Sequence, residues 1–443
     1  MNDFSKGSIK KCIIEQAIPL TLAQIVQLLY NLIDRIYIGR LPEIGDLALT
    51  GVGITFPIIV LIAAFTGLLG NGAVPIFSIV RGNKRDDEAE KIMGNAFSLL
   101  FIMALVLFLT GYFFRRPIIF LFGASEASYQ YANEYLQIYL FGTLFSMLST
   151  GLNGFINAQG FPKVGMMTMV VGAVTNIVLD PIFIFTLNMG VKGAALATVI
   201  SQTVSVIWVL RFLTGKKALL KLKKANFALK KSIVKQIVVM GIPAFVMQGS
   251  NCLVQVVCNR TLQGYGGDVY VGIMTVLNSV REVVNLPVVG ISTGAQPVLG
   301  YNYGAKQNER VKEGIRFMTS IQCIYTVAAW IIVMIMPQYI FSVFSKEQAT
   351  ILKGAEMLTL YFFGYFFMAL QFAGQSSFQA LGRSKNAIFF SMLRKVIIVV
   401  PLTILLPVMG FGIKGVFLAE PISNAVGGTI CFIVMLKTVY KKL

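Results

Sequence analysis

Histidine is absent from all 443 residues, which excludes imidazole proton relays and imidazole metal ligands. Charge is scarce as well. Asp, Glu, Lys and Arg make up 13% of the chain, against about 25% in soluble domains. The five cysteines, Cys12, Cys252, Cys258, Cys323 and Cys431, are scattered and lie in or beside apolar segments, a pattern that fits neither a disulfide framework nor a metal motif. No Gly-x-x-x-x-Gly-Lys-[Ser/Thr] loop occurs, so ATP is not the direct driver of whatever this chain does. With no Cys–His pair and no metal cluster, nothing points to an enzyme. No cleavable leader is expected, because the first apolar run continues far beyond the length of a signal-peptide core.

What the chain has instead is apolar sequence. Hydrophobic residues are 56% of the total and the mean hydropathy is +0.75. Stretches such as "AFSLLFIMALVLFLTGYFF" (96–114) and "FMTSIQCIYTVAAWIIVMIM" (317–336) recur along the whole length. Each is long enough to cross a roughly 30 Å hydrocarbon core as a helix. The short alternating segments of a transmembrane β-barrel are not seen. The expectation is an all-α polytopic membrane protein of twelve transmembrane helices, the first near 12–38 and the last near 411–436.

The net charge of +19 could suggest nucleic acid, but its placement argues against that. Basic residues sit in short connections: "RGNKRDDEAEK" (81–91), "GKKALLKLKKANFALKK" (215–231), "GAKQNERVKEG" (304–314) and "KTVYKKL" (437–443). This is the positive-inside signature, and it places both termini in the cytoplasm. Only Arg35, Arg260 and Arg281 are assigned to spans on this reading.

The two halves are copies. An offset of 222 in the numbering aligns "MGVKGAALATVISQ" (189–202) with "FGIKGVFLAEPISN" (411–424), and pairs Gly160 with Gly382 and Lys84 with Lys306. Six spans per half is an even number, so the repeat is parallel. Two six-helix bundles related by a pseudo-two-fold along the membrane normal follow, with a pathway between them. The expected domains are 1–214, a basic cytoplasmic linker at 215–234 that reads as a solvated face, and 235–443.

Acids inside a membrane are costly and functional by default. Asp34, Asp180, Glu282 and Glu420 are the candidates. Asp34 lies roughly 33 Å and Asp180 roughly 24 Å along outward-going helices, and Thr198 falls in the outer half of an inward-going one, so the three can meet. Asn176 precedes Asp180 by one turn on the same face. Pro181 has no N–H, which frees the Ile177 carbonyl and marks a hinge. A carboxylate, an amide and a freed carbonyl make a hard-oxygen site for Na⁺ or a protonatable pocket; the structural alternative is an Asp that caps a local kink.

A polar stripe runs along the first span through Gln24, Gln27, Asn31 and Asp34. An offset of 224 turns these into Gln248, Asn251, Gln255 and Cys258, so the acid survives only in the first half. In the second half, Glu282 shares a face with Asn278 and Asn285 and could attract a cationic substrate, or else pair with Arg281. Glu420 could serve similarly, or pair with Lys414 or a backbone group. Gln24, Asn31, Gln248, Asn251, Asn278 and Glu282 are the candidate substrate-binding set. The 34 Phe and 19 Met suit an adaptable apolar cavity.

"IPLTLAQIVQLLYNLIDRIYIGRL", and "NAQGFPKVGMMTMVVGAVTNIVLDPIFIF" followed by "MGVKGAALATVIS", resemble the multidrug and toxic compound extrusion (MATE) family, most closely its bacterial MepA-like members. The resemblance covers essentially the whole chain. It implies a secondary antiporter of the bacterial plasma membrane, monomeric, that exports cationic amphipathic drugs in exchange for Na⁺ or H⁺ and needs no other cofactor. It carries the family's N-terminal cation site onto Asp34, Asn176, Asp180, Thr198 and Tyr135, and a helix-bending proline onto Pro19. The seventh-span Glu of the NorM branch is missing from "GIPAFVMQGSN". Arg35 puts a cation beside Asp34. The alternative is a lipid or lipid-linked saccharide flippase of related architecture, which would favour a cationic cavity; the scarcity of basic residues within spans argues against it. The loop motif of a major facilitator transporter is absent from "RGNKRDDEAEK".

Overall fold

The computed structural model of the chain describes residues 3–39, 41, 45–122, 124, 126–344 and 347–443; the side chains at 35, 45–47, 49, 127 and 268 lie outside that description. The described residues form helices and connections, with no strand.

The first half contains α1 (Ile9–Gly39), α2 (Gly45–Gly82), α3 (Asp86–Phe113), α4 (Glu126–Ala158), α5 (Pro162–Thr186) and α6 (Gly190–Thr214). The second contains α7 (Lys231–Gly267), α8 (Val269–Gly304), α9 (Asn308–Ile335), α10 (Gln348–Ala380), α11 (384–411) and α12 (Gly412–Thr438). Two short helices, Arg115–Leu121 and Pro337–Ser342, follow α3 and α9. By length and apolarity alone, ten helical runs could cross a membrane. The polar content of α4 keeps it out of that number, and α11 and α12 run together across Gly410 and Gly412. The chain is a multi-pass helical membrane protein, as its composition requires.

The repeat is written into the backbone. Helices α3, α4, α5 and α6 begin at Asp86, Glu126, Pro162 and Gly190, and α9, α10, α11 and α12 begin at Asn308, Gln348, Ser384 and Gly412, the same offset each time. Residues with positive φ recur at that offset too: Lys84 and Lys306, Gly160 and Gly382, Asn188 and Gly410, Gly190 and Gly412. Left-handed geometry costs a non-glycine residue about 1–2 kcal/mol, yet Lys84, Lys306 and Asn188 accept it, so the turn is fixed by the elements it joins. An ion pair is likewise repeated, Lys192 with the half-buried Glu134 in the first half and Lys414 with Glu356 in the second.

Close packing divides the chain into two units, one of residues 3–4 and 18–244 and the other of 5–17 and 245–443. The first turns of α1 thus belong to the second unit, and the first turns of α7 to the first. Glycines make this possible. A Cβ on Gly72 would strike the Ile237 carbonyl, and one on Gly294 would strike the backbone of Ala17. Pro19 lies within α1, just where the chain passes from one unit to the other, without interrupting the helix.

The linker is only half as expected. Its lysines are exposed, but Ala218, Leu220 and Leu222 alternate with them and are buried in the first unit. Polar groups of α3 and of the turn after α4 hold its backbone. Gln159 accepts from the Leu220 amide at 2.9 Å, Asn95 accepts from the Lys230 amide at 2.7 Å, and Ser98 donates to the Phe227 carbonyl at 2.8 Å. Glu90 takes the Lys221 amide and the Lys223 ammonium, the latter at 2.6 Å, and that bond holds the Lys223 pKa above its ordinary value.

Candidate cation site and a buried charge cluster

In the first unit, the "NIVLDP" element sets Asn176 and Asp180 one turn apart on α5, both fully buried. Pro181 continues the helix but offers no N–H, and the chain widens into a π-turn over Ile182–Thr186. Gly193 then lets α6 lie against the Phe183 carbonyl, where a Cβ would not fit. That approach brings Thr198 to Asn176. Asn176 Nδ2 donates to Asp180 Oδ1 at 3.2 Å and to the Thr198 hydroxyl at 3.4 Å.

Two oxygens of this group, Asp180 Oδ2 and Asn176 Oδ1, are buried and hydrogen-bond to no described residue. A buried acceptor without a donor is expensive, roughly 1–3 kcal/mol each. Hard oxygens with spare lone pairs suit Na⁺, and a proton on the carboxyl would satisfy the pair equally well. Asp34, 9% exposed, lies within Coulombic reach of Asp180. The hydroxyls of Tyr30 and Tyr135 both approach Thr198. Tyr135 stacks on Tyr139 with ring centroids 5.8 Å apart.

A cavity of about 760 Å³ opens in the same unit. Asp34, Tyr30, Tyr135, Tyr139, Gln27 and Asn31 line part of its wall, while Asn176, Asp180 and Thr198 are buried and are not among its lining residues. Asp34 thus both lines the cavity and lies within Coulombic reach of the buried Asp180.

The second unit holds a different cluster. Glu420 of α12 accepts from three cations. Lys395 Nζ reaches its two oxygens at 2.9 and 3.3 Å, Arg394 Nη1 is at 3.2 Å and Arg281 Nη1 at 3.3 Å. Arg394 also donates to Asn424 Oδ1 at 2.8 Å. Adjacent residues on a regular helix point about 100° apart; here Arg394 and Lys395 open the π-helical stretch Leu393–Val399, and both reach one carboxylate. Tyr361 lies beside Arg281, its hydroxyl 3.4 Å from Asn278 Oδ1.

The MatE family profile matches residues 19–182 and again 243–405, which is most of the chain and both halves of the repeat. The chain belongs to the MatE family. Multidrug export protein MepA of Staphylococcus haemolyticus (strain JCSC1435) is 25% identical over 440 residues, covering 99% of this chain and 94% of the relative. The protein of the same name from Staphylococcus aureus (strain MRSA252) is 24% identical over 421 residues, covering 93% and 90%. Among solved structures, a MATE protein in a bent conformation superposes with a TM-score of 0.93 at 24% identity, covering 98% of this chain and 97% of that one. The outward-facing form of a multidrug resistance MATE family transporter gives 0.90 at 24% identity, covering 99% and 98%. At that identity these two establish the shared fold.

Within this MatE chain, Asp34, Tyr135, Asn176, Asp180 and Thr198 come together in one unit. Of the polar stripe on α1, Gln27 and Asn31 line the cavity, whereas Gln24 is half-buried and does not. Gln248 is half-buried, Asn251 and Glu282 are exposed, and these three make no polar contact with the Glu420 cluster. Three expectations are corrected. Arg281 pairs with Glu420 rather than Glu282. Lys414 is held by Glu356, so Glu420 turns instead to α8 and α11. Arg394 and Lys395, not among the Arg35, Arg260 and Arg281 assigned to spans from the sequence, belong to α11 and are 11% and 4% exposed in their side chains. Their position between the apolar runs "AIFFSML" and "VIIVVPLTILL" was the available signal. The side chain of Arg35 lies outside the described residues. Tyr139, absent from the expected set, corresponds to Tyr361 at the offset of the repeat, and that symmetry could have found both.

Proposed function

We propose that this chain is a secondary active efflux antiporter of the bacterial plasma membrane, exporting cationic amphipathic compounds in exchange for Na⁺ or H⁺. The observation that carries this reading is the pair of carboxylates in the first unit, Asp34 on the cavity wall and the buried Asp180 within Coulombic reach of it. The relatives named as multidrug exporters supply the substrate class. Two carboxylates within Coulombic reach of one another favour cations of either kind, a coupling ion or a drug.

Coupling follows from competition. A cation or proton at Asp34 and Asp180 lowers the affinity of that unit for a positively charged solute, or favours the conformation that releases it. Return to the inward-facing state discharges the ion and readmits substrate. Both ligands must bias the same two-state equilibrium. The basic connections support a topology with both termini in the cytoplasm, and we take the working unit to be a monomer.

The second reading, a flippase for an anionic lipid or lipid-linked saccharide, is favoured by the cationic cluster around Glu420. Efflux of ethidium from proteoliposomes under an imposed Na⁺ or pH gradient separates the two. Gradient-driven efflux that disappears in Asp180→Asn supports the antiporter, and the effective gradient names the ion. Wild-type protein that moves no ethidium under either gradient, while translocating a fluorescent anionic lipid, would replace it with the flippase.

A further inference from the structure

The Glu420 cluster is out of balance. Three cations converge on one carboxylate, and no other described acid of the second unit pairs with them: Glu282, next to Arg281, is exposed and makes no ion pair with it. An excess of basic groups over acids in a mostly buried cluster is costly unless a further anion offsets it. Hydrogen bonding is out of balance too. Arg281 makes a single bond, through Nη1 to Glu420, and all the bonds of Arg394 also leave from Nη1. Nε and Nη2 of both guanidinium groups therefore donate to no described residue. Two guanidinium edges are left as forks, the geometry that matches a planar or tetrahedral oxyanion.

Exposure decides which edge a ligand meets. The Arg281 side chain is 25% exposed, whereas those of Arg394 and Lys395 are far more enclosed. Asn278 and the Tyr361 hydroxyl flank Arg281 and add neutral polar groups. At the offset of the repeat, the counterpart of Glu420 in the first unit is Thr198, and along the polar stripe of the first span the counterpart of Cys258 is Asp34. The counterparts of Arg281, Arg394 and Lys395 are Ile59, Gly172 and Ala173, which line the first unit's cavity, so the second unit sets positive charge where the first has an apolar cavity wall.

We propose that the second unit carries an anion site at Arg281, Arg394 and Lys395, which takes a single oxyanion, a carboxylate or phosphate group, against the free edge of Arg281. Glu420 holds the three cations in place, and the oxyanion neutralises part of what remains. The site stands independently of the transport reading, because its test is binding.

The experiment uses the full-length protein in nanodiscs of zwitterionic lipid at constant ionic strength, with thermal unfolding followed as a ligand is titrated. Inorganic phosphate, hexyl phosphate and replacement of the lipid by phosphatidylglycerol form three arms, with chloride as the reference anion. A saturable rise in unfolding temperature in any arm, with affinity at least tenfold weaker in Arg281→Gln and unchanged in Lys414→Gln, supports the site. A response to inorganic phosphate assigns it to small oxyanions; a response only to hexyl phosphate assigns it to an amphipathic anionic solute, and only to phosphatidylglycerol to a lipid headgroup. Arg281→Lys keeps the charge and loses the fork, so an intermediate affinity is expected, and this variant serves if Arg281→Gln does not fold. No saturable response in any arm overturns the proposal. So does a response equal in wild type and Arg281 variants, or one matched by chloride.

Discussion

The two units share a backbone and differ in the sign of what they bury. In the first, Asp34 and Asp180 sit within Coulombic reach of one another, and Asn176 and Thr198 complete a small oxygen-rich pocket. In the second, the position of Thr198 is taken by Glu420 and those of Asp180 and Asn176 by Leu402 and Ile398, and the cations Arg281, Arg394 and Lys395 gather around the single acid. Duplication fixed where helices start and where the chain turns. It left side chains free to diverge. A fold of this kind can therefore hold a cation pocket and a basic cluster at related places without altering either scaffold.

The largest effect should come from the second unit. Glu420→Gln leaves three buried cations without their counter-charge, and breaking a buried pair in this way costs about 3–5 kcal/mol. Thermal or denaturant unfolding of the purified variant is expected to show that loss. A change no larger than about 0.5 kcal/mol, the size expected of an inconsequential surface substitution, would mean the cluster is not charged as drawn. The contrast between the units would then weaken.

Asp180→Asn is the matching change in the first unit, and it should act on function instead. The amide replaces one carboxylate oxygen in the same space, so stability should move by no more than about 1 kcal/mol. Gradient-driven efflux should fall roughly 100-fold, equivalent to about 2.7 kcal/mol of coupling. A variant that unfolds while any surviving protein still couples would make Asp180 a structural residue.

Thr198→Val sharpens the comparison at the very position where the units diverge. It removes the hydroxyl that accepts from Asn176, at about 1 kcal/mol. The half-saturating concentration of the coupling ion should rise roughly fivefold, measured as efflux rate against ion concentration. An unchanged half-saturation would remove Thr198 from the site.

The smallest effect belongs to the linker. Glu90 raises the Lys223 pKa, and a raised folded-state pKa stabilises fully at pH values below the unfolded value of about 10.4 and less as pH climbs through the folded one. Glu90→Gln should therefore lose a little stability at neutral pH, and the difference from wild type should shrink only in strongly alkaline solution. A difference that vanished near pH 7 would contradict the assignment.

How much of this was legible in the sequence depends on the physics each part obeys. Helix number, the repeat and the membrane setting follow from long apolar runs and from the glycines and prolines at matched intervals, which are local signals. The Asp180 pocket was legible because "NxxxDP" is also local: one turn of helix places both polar groups, and the depth of Asp34 and Thr198 could be reckoned from the rise per residue. The Glu420 cluster was not legible, for two reasons. One partner, Arg281, comes from a helix distant in sequence, and the basic pair Arg394–Lys395 follows Arg383 and Lys385 closely enough to read as part of a cytoplasmic end. The π-helical stretch that turns both side chains inward leaves no trace in hydropathy.

The most direct test is cation binding by the purified protein, read as Na⁺ uptake or as protons released on adding ethidium, in wild type, Asp180→Asn and Glu420→Gln. Wild type is expected to bind the ion, Asp180→Asn is expected not to, and the folded fraction of Glu420→Gln should bind it as wild type does. Ion binding that survives in Asp180→Asn, or that is lost in folded Glu420→Gln, would contradict the assignment and move the coupling site to the second unit.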